Sequence, residues 1–316
     1  MLRNKLRILT WHVHGNYLYY LSHVPHTFYV LTDAVRSPGY AGRAGRLPWG
    51  DNVVEVALGD VRSAVFDCVL YQSRRGYEYD RLHLLSEAQR NLPRIYLEHD
   101  PPRENPTDTR HPVNDPNAQL VHVTHFNQLM WNSGQTPSRV VEHGVVLPEG
   151  VRYDGKLARG LAVINDLEPR GRRVGADIFA AARDQVRLDL VGMESERSGG
   201  LGEIPNDELA EFMSHYRFYF HPVRWTSLGL AAIEAMMIGM PVVGLATTEL
   251  VTVIRNGHSG FLDTNLQRLI EPMRRLLAHP DEAAAMGEAA RQEALRRFNI
   301  DRFVADWLDV FRDATR

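Results

Sequence analysis

His221-Pro222-Val223-Arg224-Trp225-Thr226-Ser227-Leu228-Gly229-Leu230-Ala231-Ala232-Ile233-Glu234-Ala235-Met236-Met237-Ile238-Gly239-Met240-Pro241-Val242-Val243 is the stretch on which the reading of this chain turns. Thr226 and Ser227 are residue types that cap helix N-termini, Gly239 suits a helix end, and Pro241 forbids continuation. Between Leu228 and Ile238 every residue is apolar or glycine except Glu234. A helix without a polar face is buried, so Glu234 is buried or lines a cleft and needs hydrogen-bond partners. A ribose diol is one such partner; an arginine of the protein itself is the alternative. The unpaired amides at the helix start, from Ser227, Leu228 and Gly229, together with the positive dipole end, make an anion site for a diphosphate. Counted from Leu228 at about 1.5 Å per residue, Glu234 lies about 9 Å deeper, roughly the offset from a diphosphate to the hydroxyls of its nucleoside.

Working outward, strands and helices alternate on both sides of this stretch. Downstream of residue 156 the pattern runs strand Leu161 to Asn165, helix Val174 to Arg183, strand Arg187 to Val191, helix Asn206 to His215 and strand Arg217 to His221. The first half carries short β-rich runs from Leu6 to Val13 through Arg139 to Val141, with one helix expected over Tyr79 to Asn91. Such alternation predicts parallel sheets. The period-free stretch Val146 to Lys156, rich in Pro, Gly and charge, reads as a linker. The expected fold class is therefore α/β, two doubly wound Rossmann-like domains facing across a cleft, over 1–148 and 149–298. Residues 299–316 form an amphipathic helix, with Ile300, Phe303, Val304, Trp307, Leu308 and Phe311 on one face, expected to pack back on the N-terminal domain. Two aperiodic loops, Arg36 to Asp51 with four glycines and Asp100 to Asn117 with five prolines, are expected to sit at the cleft, the alternative being ordinary surface loops; the second leaves the carboxyl end of a strand, where open α/β sheets place their ligands.

Composition narrows the function classes. With 44% hydrophobic and 24% charged residues over 316 positions, the chain is an ordinary globular protein large enough for two cores. A formal charge of -3 provides no global basic field for nucleic acid. The single cysteine, Cys68, closes no intrachain disulfide and fits a reducing cytosol. The longest apolar run, Leu228 to Leu245, is interrupted by Glu234 and Pro241 and is a poor membrane span. Arg3, Lys5 and Arg7 precede too short an apolar run for a secretion signal. The expectation is a cytoplasmic protein, with peripheral contact at the inner membrane face left open.

Pro222 to Val243, the helix start at Thr248-Glu249-Leu250 and the Asn256-Gly257-His258-Ser259-Gly260-Phe261-Leu262 ending resemble the C-terminal domain of retaining GT-B glycosyltransferases of the large nucleotide-sugar-dependent group 1 type. That family carries two Glu residues separated by seven positions; Glu234 matches the second, the ribose ligand, whereas Thr226 occupies the place of the first, which contacts the transferred sugar. The resemblance implies transfer of a hexose-type unit from a nucleoside diphosphate sugar to an acceptor hydroxyl on a glycan, glycolipid or small molecule, as in bacterial glycan biosynthesis. It also implies retention of configuration and no cofactor beyond the co-substrate. Two basic residues after the first strand of the family's C-terminal domain clamp the diphosphate. Here that region offers Arg170, Arg172 and Arg173, with the last two beside the helix start.

On the other domain, His14-Gly15-Asn16 follows the first strand, and Gly15 would bring backbone close to donor or acceptor. The resemblance places His99 beside the reacting sugar. Independently, His99 is a candidate base with Asp100 to orient it. The 14 histidines include His111, His122, His125 and His143 in one span, but no His-Glu-x-x-His is present, so no metal is expected. The absence of Gly-x-Ser-x-Gly, Gly-x-Gly-x-x-Gly and Walker sequences argues against a serine hydrolase and against NAD or ATP chemistry. Two alternatives stay open: a non-catalytic nucleotide- or partner-binding subunit, to which Thr226 points, and another GT-B enzyme, an epimerase or an inverting transferase using His99 or Asp100 as base.

Overall fold

The computed structural model describes residues 5–13 and 15–316, so His14 of the Gly15 loop lies outside the described residues. The chain divides into two compact units, one formed by Met1–Gly144 with Ile300–Arg316 and the other by Val145–Asn299. In the first unit, strands β1 (Arg7–Thr10), β2 (Thr27–Thr32), β3 (Val53–Ala57), β4 (Cys68–Tyr71) and β5 (Arg94–Glu98) join β7 (Ala118–His122) and β9 (Ser138–Val140). They make one seven-stranded sheet in the order β3-β2-β1-β4-β5-β7-β9, parallel throughout. Two short strands, β6 (Thr109–Arg110) and β8 (Trp131–Asn132), pair separately.

The second unit has a five-stranded sheet of β10 (Leu157–Val163), β11 (Leu188–Val191), β12 (Tyr216–His221), β13 (Val242–Leu245) and β14 (Gly260–Asp263). Its order is β11-β10-β12-β13-β14, again parallel. Parallel strands covered on both faces read as continuous apolar runs. Accordingly β4, β12 and β13 are buried at every position. Arg217, inside β12, survives burial because its guanidinium donates to the carbonyls of Gly155 (2.8 Å), Leu276 (3.3 Å) and Leu277 (2.9 Å). The last two belong to the final turn of the Leu266–Ala278 helix, whose carbonyls have no intrahelical partners.

Three sequence expectations change. The single helix over Tyr79 to Asn91 is instead a π-helical turn (Gly76–Asp80), a short helical turn (Arg81–His83) and a helix over Glu87–Arg90. Ser86 interrupts the run by forming a capping box with Gln89, which restarts the helix. The stretch expected as a linker is packed on the second unit: the amides of Asp154 and Gly155 both bond the Ser214 carbonyl at 3.1 Å, and Tyr153 N–H bonds Ile238 O at 3.3 Å. The unit boundary falls at Gly144/Val145, ahead of the expected 148/149.

The helix Ile300–Ala314 belongs to the first unit. Its apolar face buries Phe303, Trp307, Val310 and Phe311 completely, and Trp307 Nε1 donates to the Tyr17 hydroxyl at 3.2 Å. Arg302 caps the carbonyls of Glu142 and His143, and Arg139 pairs with Asp313 at 2.9 Å. Replacing Trp307 by Phe removes the indole donor, leaves the buried Tyr17 hydroxyl short of a partner and opens a small cavity. Unfolding free energy is expected to fall by roughly 1–3 kcal/mol, read from urea titration; no change would mean that the helix docks independently of this contact.

Candidate functional site

In an open α/β sheet, ligands bind outside the carboxyl ends of the strands where the strand order reverses. In the second unit this point lies between β10 and β12. There the chain leaves β12 at His221 and runs through Pro222–Gly229 into the helix Leu230–Ile238. The helix begins later than the expected caps at Thr226 and Ser227. The N-cap is Gly229, whose φ of 86° lies in the left-handed region that favours glycine, and no side chain caps the first turn. The amides of Leu230 and Ala231 are therefore left to other partners, while the Ala232 amide bonds the Gly229 carbonyl at 3.2 Å. Counted from Leu230, Glu234 sits about 6 Å along the axis instead of 9 Å. Glu234 is buried at 6% exposure, and its charge pushes the phenol of fully buried Tyr219 up, on top of the larger effect of burial. Thr226 is half-buried, while Ser227 and Leu228 are buried.

The arginine-rich loop lies against the same segment. A helical turn over Leu167–Arg170 and a 3-10 turn over Gly171–Val174 follow β10. The Arg173 carbonyl accepts from the amides of Arg224 (3.0 Å) and Trp225 (3.1 Å), so the two loops are stitched together. At Gly175, φ is 81° and an added Cβ would collide with the Pro222 carbonyl, which leaves room only for glycine. Arg170 donates to the Asn165 carbonyl at 3.1 Å, and Arg172 pairs with Asp177 at 2.5 Å.

Sequence reading passed over Arg224, which grips Asp177 through two bonds of 2.6 and 2.8 Å and also donates to the Arg172 carbonyl at 2.8 Å. Its position within the quoted stretch was visible, but its partner, 47 residues earlier, was not. The Arg224 hydrogen bond is the largest influence holding the Asp177 carboxyl below its ordinary range. Arg172 is three-quarters exposed, so its pair with Asp177 is weak.

In the first unit the strand order reverses between β1 and β4. Gly15 is the first residue of a short helix, Gly15–Leu21, beyond β1. His99 and Asp100 follow β5 as expected, but Asp100 does not supply the orienting contact. Its carboxylate pairs with Arg103, whereas His99 Nε2 lies 3.1 Å from Gln72 Oε1, and the Tyr17 ring packs edge-on at 4.9 Å. Glu98 is taken up by His111 at 3.0 Å and by the Asp100 amide at 2.9 Å. The Arg36–Asp51 loop is tied to the chain after β1 by His12 Nδ1 on Gly42 O (2.5 Å) and to β3 by an Arg36–Glu55 pair (2.8 Å). Among the described residues, no group of three His, Cys, Asp or Glu side chains is placed to hold a metal ion, and no helix is long and apolar enough to cross a membrane.

Residues 195–293 match the family described as Glycosyl transferases group 1. A D-inositol 3-phosphate glycosyltransferase of Streptomyces bingchenggensis is 34% identical over 112 residues, 35% of this chain and 24% of the relative. The chain aligns with only 20% and 24% of the length of the first curated relatives. Sucrose-phosphate synthase from Thermosynechococcus elongatus superposes with a TM-score of 0.70 at 15% identity, covering 98% of this chain and 99% of that one. Anabaena Alr3699/HepE in complex with UDP gives 0.65 at 14%, covering 98% and 100%. The fold is that of GT-B glycosyltransferases, two Rossmann-like α/β units. The sequence similarity to the group 1 glycosyltransferase family is carried by the second unit, over about a third of the chain.

Burial holds three histidines well below their ordinary value of about 6.5: His221 at about 4, and His122 and His143 at about 3. A second positive charge adds to the effect for His122, from His111, and for His143, from Arg302. The unfolded chain therefore takes up protons first as pH falls. Stability contributed by these neutral side chains is complete above about pH 6.5 and is lost progressively as pH falls toward about 4 for His221 and about 3 for His122 and His143. The melting temperature is expected to drop by several degrees between pH 7 and 5, and the drop should be smaller in His221→Met. An identical drop in both proteins would show that His221 is solvated and titrates normally.

Proposed function

We propose that the protein is a metal-independent, retaining glycosyltransferase that moves a hexose-type unit from a nucleoside diphosphate sugar to an acceptor hydroxyl. The observation that carries this reading is Glu234, a carboxylate in the second turn of an otherwise apolar helix that starts at the switch point of the second unit. A ribose diol approaching along that helix would donate two hydrogen bonds to it, while the diphosphate meets the free amides after Gly229. Arg172, Arg173 and Arg224 stand on the two stitched loops beside that helix start, where they would stabilise charge developing on the departing diphosphate. Arg170 is a further candidate. The complex of Anabaena Alr3699/HepE with UDP supports a nucleoside diphosphate as the common part of the donor. On the first unit, His99 is the residue we assign to the reacting sugar or acceptor.

Retention follows in this reading if the leaving diphosphate itself takes the acceptor's proton on the face it departs from. The protein then supplies positioning and electrostatics, with no side-chain nucleophile. Thr226 favours a second reading, a subunit that binds nucleotide but transfers poorly, because a neutral hydroxyl replaces the carboxylate expected to hold the sugar. Donor hydrolysis across a panel of nucleotide sugars separates the two: at least one donor turns over in the first reading and none in the second.

Glu234→Gln retains the shape but weakens charge-assisted bonds, so nucleoside diphosphate affinity by calorimetry should fall roughly 10- to 100-fold with little change in unfolding temperature. Unchanged affinity with a large thermal loss would make Glu234 a structural ion-pair partner. Turnover should survive EDTA, since arginines and backbone amides do the work a divalent ion would do. Complete loss restored by adding a divalent metal would defeat the metal-independent mechanism.

A further inference from the structure

We propose that His221 is a further donor-binding residue, whose buried imidazole gives one hydrogen bond to the diphosphate at the start of the Leu230–Ile238 helix. The inference rests on the place given to the diphosphate in the proposed function. His221 is the last residue of β12, the strand from which the chain turns toward that helix. Its side chain is 4% exposed, and among the described residues its Nδ1 has no hydrogen-bond partner and is sealed from water. Buried polar atoms are nearly always paired, so an unpaired imidazole at the end of the switch-point strand calls for a reason.

The ring is aimed at the helix start. A Cβ built on Gly229 would lie 3.7 Å from His221 Cε1, and among the described residues no other atom beyond the adjoining ones comes within 4 Å of it. The space over Gly229 is therefore open except for the ring. Cε1 is bonded to both nitrogens, so the edge of the imidazole turned toward Gly229 is its polar edge. The amides of Leu230 and Ala231, which no side chain caps, point out of the helix toward the same end. Burial pushes the imidazole down to about 4, so at neutral pH the ring is uncharged and carries one hydrogen. With Nδ1 enclosed and without an acceptor, that hydrogen belongs on Nε2, which is not enclosed in this way. An oxygen of a diphosphate accepts and never donates, and it is drawn to the positive end of the helix dipole. Backbone amides and the ring N–H thus offer donors to one acceptor, and the neutral ring does so without burying a further charge.

Calorimetry on the full chain tests the assignment with two probes: inorganic pyrophosphate, which has the phosphates without ribose or base, and uridine diphosphate. His221→Met keeps the site filled with an apolar side chain and removes the donor. Affinity for both probes should fall roughly 10- to 100-fold, the worth of one hydrogen bond to a charged group, with no loss of melting temperature at pH 7. Unchanged affinities would overturn the proposal and make His221 a packing residue beneath the helix. Nitrogen-15 NMR of the wild type decides the matter even if the variant fails to fold: pyrophosphate should move the His221 Nε2 resonance, and an unmoved resonance at saturation overturns the assignment. Uridine diphosphate binding that is indifferent to His221→Met would leave the proposed function standing without His221. Pyrophosphate binding that depends on His221, in a protein that binds and turns over no nucleotide sugar, would sink the proposed function and keep His221 as an anion ligand. A wild type that binds neither probe defeats both.

Discussion

Every strand in both large sheets runs parallel to its neighbours, and the rest of the molecule depends on that constraint. A parallel pair cannot be closed by a tight turn, so each strand must be followed by a segment that crosses a face of the sheet. All strands then end at the same edge. Chain leaving a central strand toward one flank and chain leaving its neighbour toward the other open a gap at that edge, where backbone groups have no ladder partners. In the second unit the Arg170–Gly175 turn and the Pro222–Gly229 segment flank that gap. In the first, Gln72 spans it, donating to the Thr10 hydroxyl and the Trp11 carbonyl.

The polar groups gathered at these edges are held by one another. Asp177 gathers two guanidiniums, and the backbone of Arg173 ties the Arg224–Trp225 turn in place. The charged side chains of the two loops are thus ordered by the protein's own contacts. Arg172, far more exposed than Arg224, is the member that exchanges partners most cheaply. In the first unit neutral contacts join the ion pairs: the amide of Gln72, the ring of Tyr17 and the indole of Trp307, the last contributed by a helix 290 residues away in sequence. The C-terminal helix thereby supports the same edge as β1 and β4.

Much was legible in the chain itself. The apolar run from Leu228 to Ile238 with one acid, ended by Gly239 and Pro241, implies a buried helix wherever it packs, because no face of it is compatible with water. Alternating β-rich and helical segments dictate parallel sheets, and the periodicity of Ile300, Phe303, Trp307 and Phe311 dictates an amphipathic terminal helix. Glu234 and the arginines stood out because charge in such settings demands an explanation from local sequence alone.

Tertiary structure decided what depends on partners remote in sequence. Whether Thr226 or Gly229 caps the helix turns on the backbone path from β12, which puts a positive φ at Gly229. Whether Asp100 or Gln72 orients His99 turns on β4 lying beside β1 and β5, an adjacency no local pattern encodes. The segment after Gly144 is packed and not a linker because its polar amides find the Ser214 carbonyl, and the Tyr79–Asn91 run breaks because Ser86 satisfies amides that an unbroken helix would have used internally. Apolar periodicity reports which residues avoid water, and it does so from neighbours in sequence. Hydrogen bonds are directional and short, so their pairing is settled only when the chain has brought donor and acceptor together.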